Sequence, residues 1–230
     1  QGRPPNHPEL LDYLALDFVD SNWDVKALIK KIVLSRAYRM SSTGSPEALT
    51  ADPFNEWFAR QSRHRWPAEM IRDTALSLAG LLVTDVGGPS VKPLQPSGYF
   101  RHLNFPMRKY RADNDGRQWR RGVYVHWQRQ FLHPMLRAFA APTREECVTA
   151  RPVSNTPTAA LTLLNDPVFV EASRMFAQQT LLSPGHDKDR LILAFRRATS
   201  RAPHAEEIVV LTRFLRGARE HFRQDPNAAK

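Results

Sequence analysis

The chain is poor in the residues that build the commonest functional sites. Cys147 is the single cysteine among 230 residues, which excludes an intrachain disulfide, a cysteine-rich zinc site and the paired cysteines of covalent haem attachment. No stretch approaches the roughly 18 consecutive apolar residues of a membrane-spanning helix. The opening Gln1-Gly2-Arg3-Pro4-Pro5 has no apolar core of a secretory leader. Glycines number only 10, and Gly87-Gly88 runs into Pro89 instead of a helix start with a lysine, so it is a turn and not a phosphate cradle. A Gly-x-Ser-x-Gly elbow and a His-Glu-x-x-His pair are absent as well. The eight histidines are scattered; His126 and His133 share a helix face only if no break intervenes before Pro134, and no metal site is assigned.

What remains is the material of a helical protein. An apolar content of 42% over 230 residues suffices for a substantial core, and most of the 18 prolines fall where helices would start or stop. Pro8 opens a first helix whose Leu10, Leu11, Leu14, Phe18 and Val19 recur at helical spacing, ended by Ser21-Asn22. A second runs from about Asp24 to Tyr38, and the short link predicts that the two pack as an antiparallel pair. Residues 41–53 read as a surface loop. Pro67 begins a third helix to about Leu82, with Met70, Ile71, Ala75, Leu78 and Ala79 inward and Glu69, Arg72 and Asp73 toward water.

From Thr84 to Asp115 the periodicity collapses into successive Gly, Pro and Ser turns. Its aromatics, Tyr99, Phe100, Phe105 and Tyr110, argue for an ordered irregular segment laid across the helices. Residues 120–131 fit either period, with helix preferred. Helices then open at Pro157 and Pro167 and recur over 191–199 and 205–222, with Ile208, Leu211, Leu215 and Phe222 buried. The expected fold is mainly α, with a long Pro/Gly-rich ordered insertion and little or no sheet. The organisation is one domain over 1–230, divided into N-terminal helices (1–82), insertion (83–119) and C-terminal helices (120–230).

The net charge of +10, from 33 basic and 23 acidic residues, is interleaved along the chain. It is densest over 60–65, 101–121 and 213–223, and arginine dominates. Arginine favours bidentate contact with carboxylate, phosphate or sulfate, but an interleaved excess is also what a solvated basic surface looks like. Nucleic-acid binding rests on this charge alone and is not expected.

Two constellations stand out. Arg120-Arg121-x-x-Tyr124-x-x-Trp127 combines guanidinium forks with aromatic faces, suiting an anionic sugar, or else a helix whose rings join the core while the arginines pair with acids. The second is the pair of polar turns Ser154-Asn155-Thr156-Pro157 and Asn165-Asp166-Pro167, which follow Arg151. Thr156 and Asp166 read as two N-caps; two neighbouring helix N-termini beside Arg151 would also make an anion-binding corner.

Many of these segments, in this order, resemble a family of planctomycete-specific domains of unknown function (domain of unknown function 1553). The matching segments begin with Gln1-Gly2 and Pro4-Pro5-x-His7-Pro8-Glu9-Leu10-Leu11-Asp12, then Trp23-Asp24-x-Lys26 and Ser35-Arg36-x-Tyr38-Arg39. They continue with Ala68-Glu69-x-Ile71-Arg72-Asp73, Gly87-Gly88-Pro89-Ser90-Val91, Arg120-Arg121-x-x-Tyr124, Arg144-Glu145-x-Cys147 and both polar turns. In the segment Phe139-Ala140-Ala141-Pro142, Ala140 stands where the family usually has an acid, and Ala159 stands where it has a glutamine after the Thr-Pro turn, so polar groups are lost next to the motifs that would form a site.

The resemblance implies an exported protein, periplasmic or at the cell surface, whose other domains often include a cytochrome c. Any haem would sit there, with no cofactor in this chain. In that setting Cys147 would persist as a buried unpaired thiol. The family's usual upstream helices and an initiating methionine are missing, so the chain is expected to be the C-terminal part of a longer protein. The expected function is an accessory or binding module that docks a neighbouring domain or recognises anionic polysaccharide. The alternative is a carbohydrate-active enzyme domain coupled to the cytochrome. The ligand candidates are Arg120, Arg121, Tyr124, Trp127, Arg151, Asn155, Thr156, Asn165 and Asp166; no residue is assigned as catalytic.

Overall fold

The computed structural model describes residues 4–100, 109–128 and 131–225. The Gln1-Gly2 end of the first family segment, His102 and Phe105 lie outside the described residues. The fold is mainly helical: ten α-helices and two 3₁₀ turns are described, and among the described residues there is no strand beyond two isolated bridges. The chain divides into two compact units, residues 1–65 and 66–230.

The first unit holds α1 (Pro8–Asp20), α2 (Val25–Leu34), α3 (Arg36–Arg39) and α4 (Pro46–Ala51). The break between α1 and α2 is sharp because Asn22 and Trp23 both take positive φ and the Asp24 carboxylate caps α2 through the Lys26 and Ala27 N–H groups. The two helices pack on each other, with an Asp17–Lys31 ion pair and the Phe18 ring against Trp23. The second expected helix does not run through to Tyr38. Ser35 turns to an extended conformation and its hydroxyl accepts from Tyr38 N–H, which starts α3 afresh. The loop over 41–53 contains the short α4, whose N–H groups are capped by Ser45.

The second unit holds α5 (Ala68–Leu78), α6 (Pro134–Ala138), α7 (Pro157–Asn165), α8 (Pro167–Leu181), α9 (Asp187–Thr199) and α10 (Ala205–Gln224). Its helices pack in a continuous series: α5 on α6 and α8, α6 on α7, α7 on α8, α8 on α9, and α9 on α10. The core gathers Ala68, Val125, Leu132, Met135, Leu136, Phe139, Ala159 and Phe169, with the Phe139 and Phe169 rings edge to face at 5.7 Å. The last helix is less buried than its stripe suggests. None of its residues is fully buried, and Phe222 is 44% exposed.

The described residues of the insertion are irregular and laid against the helices, and Tyr99, Phe100 and Tyr110 hold them there. Phe100 is buried and meets Tyr110 and Phe131 edge to face. The Tyr99 hydroxyl donates to the Leu132 carbonyl at 2.9 Å, and the Tyr110 hydroxyl to the Pro93 carbonyl at 2.5 Å. The helix preferred for 120–131 does not form. The described part of that segment holds one 3₁₀ turn, Gly122–Tyr124, preceded by another at Gly116–Trp119, with parallel bridges from Val83 to Arg120 and from Val91 to Val125. Gly122 sits so close to α5 that a Cβ there would lie 2.8 Å from the Glu69 Cα, a clearance that suits a tight turn packed on a helix backbone. Cys147 is exposed and not buried.

Candidate functional site

Several of the family segments of the second unit meet at α5, and Arg72 is at their centre. Ala68, Arg72, Leu76 and Ala79 recur at three- and four-residue spacing and are all buried, so the inward face of α5 carries a guanidinium. Arg72 therefore does not face water, and Met70 on the other side is 51% exposed. The polar appearance of Glu69-x-x-Arg72-Asp73 conceals this. The Ala68–Arg72–Leu76 spacing was the available signal.

Burial of a guanidinium is tolerated only when its N–H groups find acceptors. Arg72 Nη1 donates to the Arg120 carbonyl at 2.6 Å and Nη2 to the Gln118 carbonyl at 2.5 Å, with the Asp73 carboxylate 3.6 Å away. Burial pulls the Arg72 pKa down to about 10, against the pull of Asp73 and Asp166. Arg120 repeats the device. It is buried, its Nη1 donates to the Pro89 carbonyl at 2.9 Å and its Nη2 to the carbonyls of Gly87 and Asp85, and its guanidinium stacks 3.8 Å from the centre of the Tyr124 ring. The Tyr124 hydroxyl accepts from Gly87 N–H at 2.7 Å. The Gly87-Gly88-Pro89 turn is thus held by Tyr124 and by Arg120, whose own carbonyl accepts from Arg72. Irregular backbone has no ladder to satisfy its carbonyls, and the arginine forks do so instead.

Carboxylates surround this core. Asp73 accepts from Gly122 N–H at 2.6 Å, while its partial burial raises its pKa against the influence of Arg72 and Arg121. Asp166 caps α8 by accepting from Val168 N–H at 2.9 Å, and burial raises its pKa too, opposed by that N–H and by Arg72. Glu69 receives Arg151 Nη1 at 2.7 Å. Tyr110 feels both Asp113 and Arg72, and its burial pushes the phenol pKa up. His133 Nε2 donates to the Leu94 carbonyl at 3.0 Å and its Nδ1 accepts from Met135 N–H at 3.3 Å. Its burial holds the pKa down at about 4, so the ring is neutral at pH 7.

The candidates from sequence divide into two sets. Arg120, Tyr124, Arg151 and Asp166 belong to the network around α5, and Arg121 is exposed at its edge, within electrostatic reach of Asp73. Trp127 lies apart from it, donating from Nε1 to the Thr143 carbonyl at 3.2 Å and stacked against Arg144 at 3.7 Å. Thr156 accepts from Ala159 N–H at 3.3 Å and caps α7, while Asn165 Nδ2 donates to the Leu161 carbonyl in the same helix. Asn155 is exposed just before that cap. Arg72, Asp73, Glu69 and Gly122 complete the network and were not among the candidates. Among the described residues no three His, Cys, Asp or Glu side chains gather closely enough to hold a metal ion. The arrangement is suited to clamping the insertion onto α5.

Comparison with known families agrees with the resemblance carried by these segments. The chain belongs to the family described as PSD1, protein of unknown function (DUF1553), whose model matches residues 1–215. No curated protein and no solved structure is detectably similar to it.

Proposed function

We propose that this chain is a non-catalytic accessory module of an exported bacterial multidomain protein, and that its first unit docks a neighbouring domain of that protein. One observation carries this reading. Among the described residues of α1 to α4 no side chain is fully buried, while Leu11, Leu16, Val19, Val25, Ile29 and Leu34 are each at least half exposed. Helices of 13 and 10 residues are marginal in isolation and owe their stability to packing of an apolar face. Apolar surface on this scale marks an interaction site, and its aliphatic character fits an apolar helical face of a protein partner. The exported setting and a cytochrome c neighbour are taken from the family resemblance.

Recognition of anionic polysaccharide by ring stacking has less support. Arg120 covers a face of Tyr124 and Arg144 a face of Trp127, and Arg120 is held on backbone carbonyls. A carbohydrate-active enzyme has no specific support from the α5 cluster, where Asp73 and Asp166 both accept from main-chain N–H groups.

Photo-crosslinking in the intact parent protein tests the docking reading, with a benzophenone side chain placed at Leu16 or Ile29 and, as a control, at the exposed Leu182 of the second unit. Crosslinks from the first two positions to another domain of the same polypeptide are expected. Failure of both to crosslink beyond the level of the control would sink the proposal.

A further inference from the structure

The helix series of the second unit closes on α10, which packs on α9 and leaves one flank to solvent. Val210, Phe214, Gly217 and His221 recur along that flank at spacings of four, three and four residues, and all four are exposed, Val210 by 62% and Phe214 by 76%. The spacing is that of a coiled-coil seam, in which each large side chain enters a recess on a facing helix.

Single exposed apolar residues need no explanation, but Gly217 does. It lies inside a 20-residue helix, where glycine is less stable than alanine because ordering it removes more backbone freedom. Its backbone is helical, and a Cβ built on it meets nothing within 4 Å. No contact within the chain therefore calls for glycine there, unlike at Gly122. What it does provide is a recess in the seam, one turn beyond the exposed Phe214 ring.

The charges beside the seam supply a second, independent sign. Arg213 and Glu220 are seven residues apart on the same side of it, and neither has an ion pair or hydrogen bond among the described residues. Arg219, by contrast, is held by Asp187. Arg216 and Arg223 project from the far side of the helix, away from the seam.

We propose that α10 is a self-association surface, pairing antiparallel with α10 of a second copy of this chain about a two-fold axis beside Leu215 and Arg216. That axis sets Phe214 over Gly217 of the second copy and Val210 over His221, and symmetry makes each contact twice. It also brings Arg213 beside Glu220 of the second copy, so that both unpaired charges are matched. A parallel pair in register would set Phe214 on Phe214 and Gly217 on Gly217, leaving a gap, and would put Arg213 beside Ala218. Complementarity of the flank to itself, in shape and in charge, is what selects a second copy as the occupant. The surface belongs to the second unit and is independent of the docking assigned to the first.

Sedimentation equilibrium of the whole chain tests the proposal, in reducing buffer because Cys147 is exposed and free to join two copies by a disulfide. A four-layer seam is at the small end of specific interfaces, so a monomer–dimer equilibrium with a Kd on the order of 10 µM is expected. Arg213→Glu and Glu220→Arg should each weaken it about tenfold, because like charges then face each other twice across the seam. An equimolar mixture of those two variants should dimerise at least as tightly as the parent chain, since every facing pair is again opposite in sign. Circular dichroism checks that both variants are folded. Leu16→Lys, in the first unit, should leave the Kd unchanged. A chain that stays monomeric up to about 0.5 mM, a Kd indifferent to the charge variants, a mixture no tighter than its components, or a dimer lost in Leu16→Lys would each overturn the assignment.

Discussion

The guanidinium of Arg72 donates to the main-chain carbonyl of Arg120 across 2.6 Å, although the two residues lie 48 positions apart. Through that bond a helix reaches the far end of the irregular insertion, and Arg120 then reaches back into it at Asp85, Gly87 and Pro89. Two arginines in series thus replace the ladder that a sheet would have provided. Of the residues whose carbonyls they satisfy, Arg120 is buried and Gln118 partly so, whereas Asp85, Gly87 and Pro89 are exposed.

Arg72→Met should therefore destabilise the fold by about 3 kcal/mol, because it removes two charge-assisted bonds and leaves the Gln118 and Arg120 carbonyls unsatisfied. Arg72→Lys, with a single ammonium in place of the fork, should recover part of that loss. Urea denaturation measures both; a lysine variant as unstable as the methionine one would show that bond geometry, not charge, is what the site requires.

Gly122→Ala tests the close approach of the second 3₁₀ turn to α5. The added methyl would meet Glu69 backbone at 2.8 Å, and overpacking against a helix backbone costs about 1–3 kcal/mol. Amide exchange at Gly122, whose N–H bonds Asp73, should accelerate in the variant. Unchanged protection there would mean that α5 gives way easily.

His133 predicts the acid limb of the stability curve. Its folded pKa of about 4 lies below the usual value of 6.5, so between these values the unfolded chain binds the extra proton. The associated stability is present in full above pH 6.5 and declines as pH falls toward 4, by about 3 kcal/mol across the window. Asp73 and Asp166 act with the opposite sign: their raised pKa values favour the folded state as pH falls through them. His133→Gln can keep the donation to Leu94 while removing the titration, and should flatten the decline of the urea midpoint between pH 6.5 and 4. A slope equal to that of the parent chain would assign the acid limb elsewhere.

Leu16→Lys and Ile29→Lys, at positions 66% and 54% exposed, should change the stability of the isolated chain by no more than about 0.5 kcal/mol. The same changes should reduce binding of a hydrophobic dye. A large loss of stability in either variant would show that those side chains pack within the chain.

Periodicity located most helices because burial at three- and four-residue spacing is written in neighbouring residues. The caps Thr156 and Asp166 accept from N–H groups a few residues ahead, an interaction local enough to read directly; Ser45 does the same for α4, inside a segment whose composition reads as loop. The inward face of α5 is not legible from polarity, because an arginine signals water unless distant carbonyls receive its N–H groups. Residues 120–131 were misread because two periods fit them, and the choice depended on Glu69, Val83 and Val91, which are distant in sequence.

The sequence by itself determined the helical class, the caps at Thr156 and Asp166, the exclusion of an intrachain disulfide and a cysteine-rich zinc site, and membership of a family of unknown function. Tertiary structure alone decided that Arg72 is buried, that Arg120 and Tyr124 clamp the insertion instead of presenting an open stacking surface, and that the first unit keeps its apolar side chains outward. The physical reason is range. Helix propensity and capping act within a few residues, whereas the fate of a guanidinium depends on which distant carbonyls the folded chain brings to it.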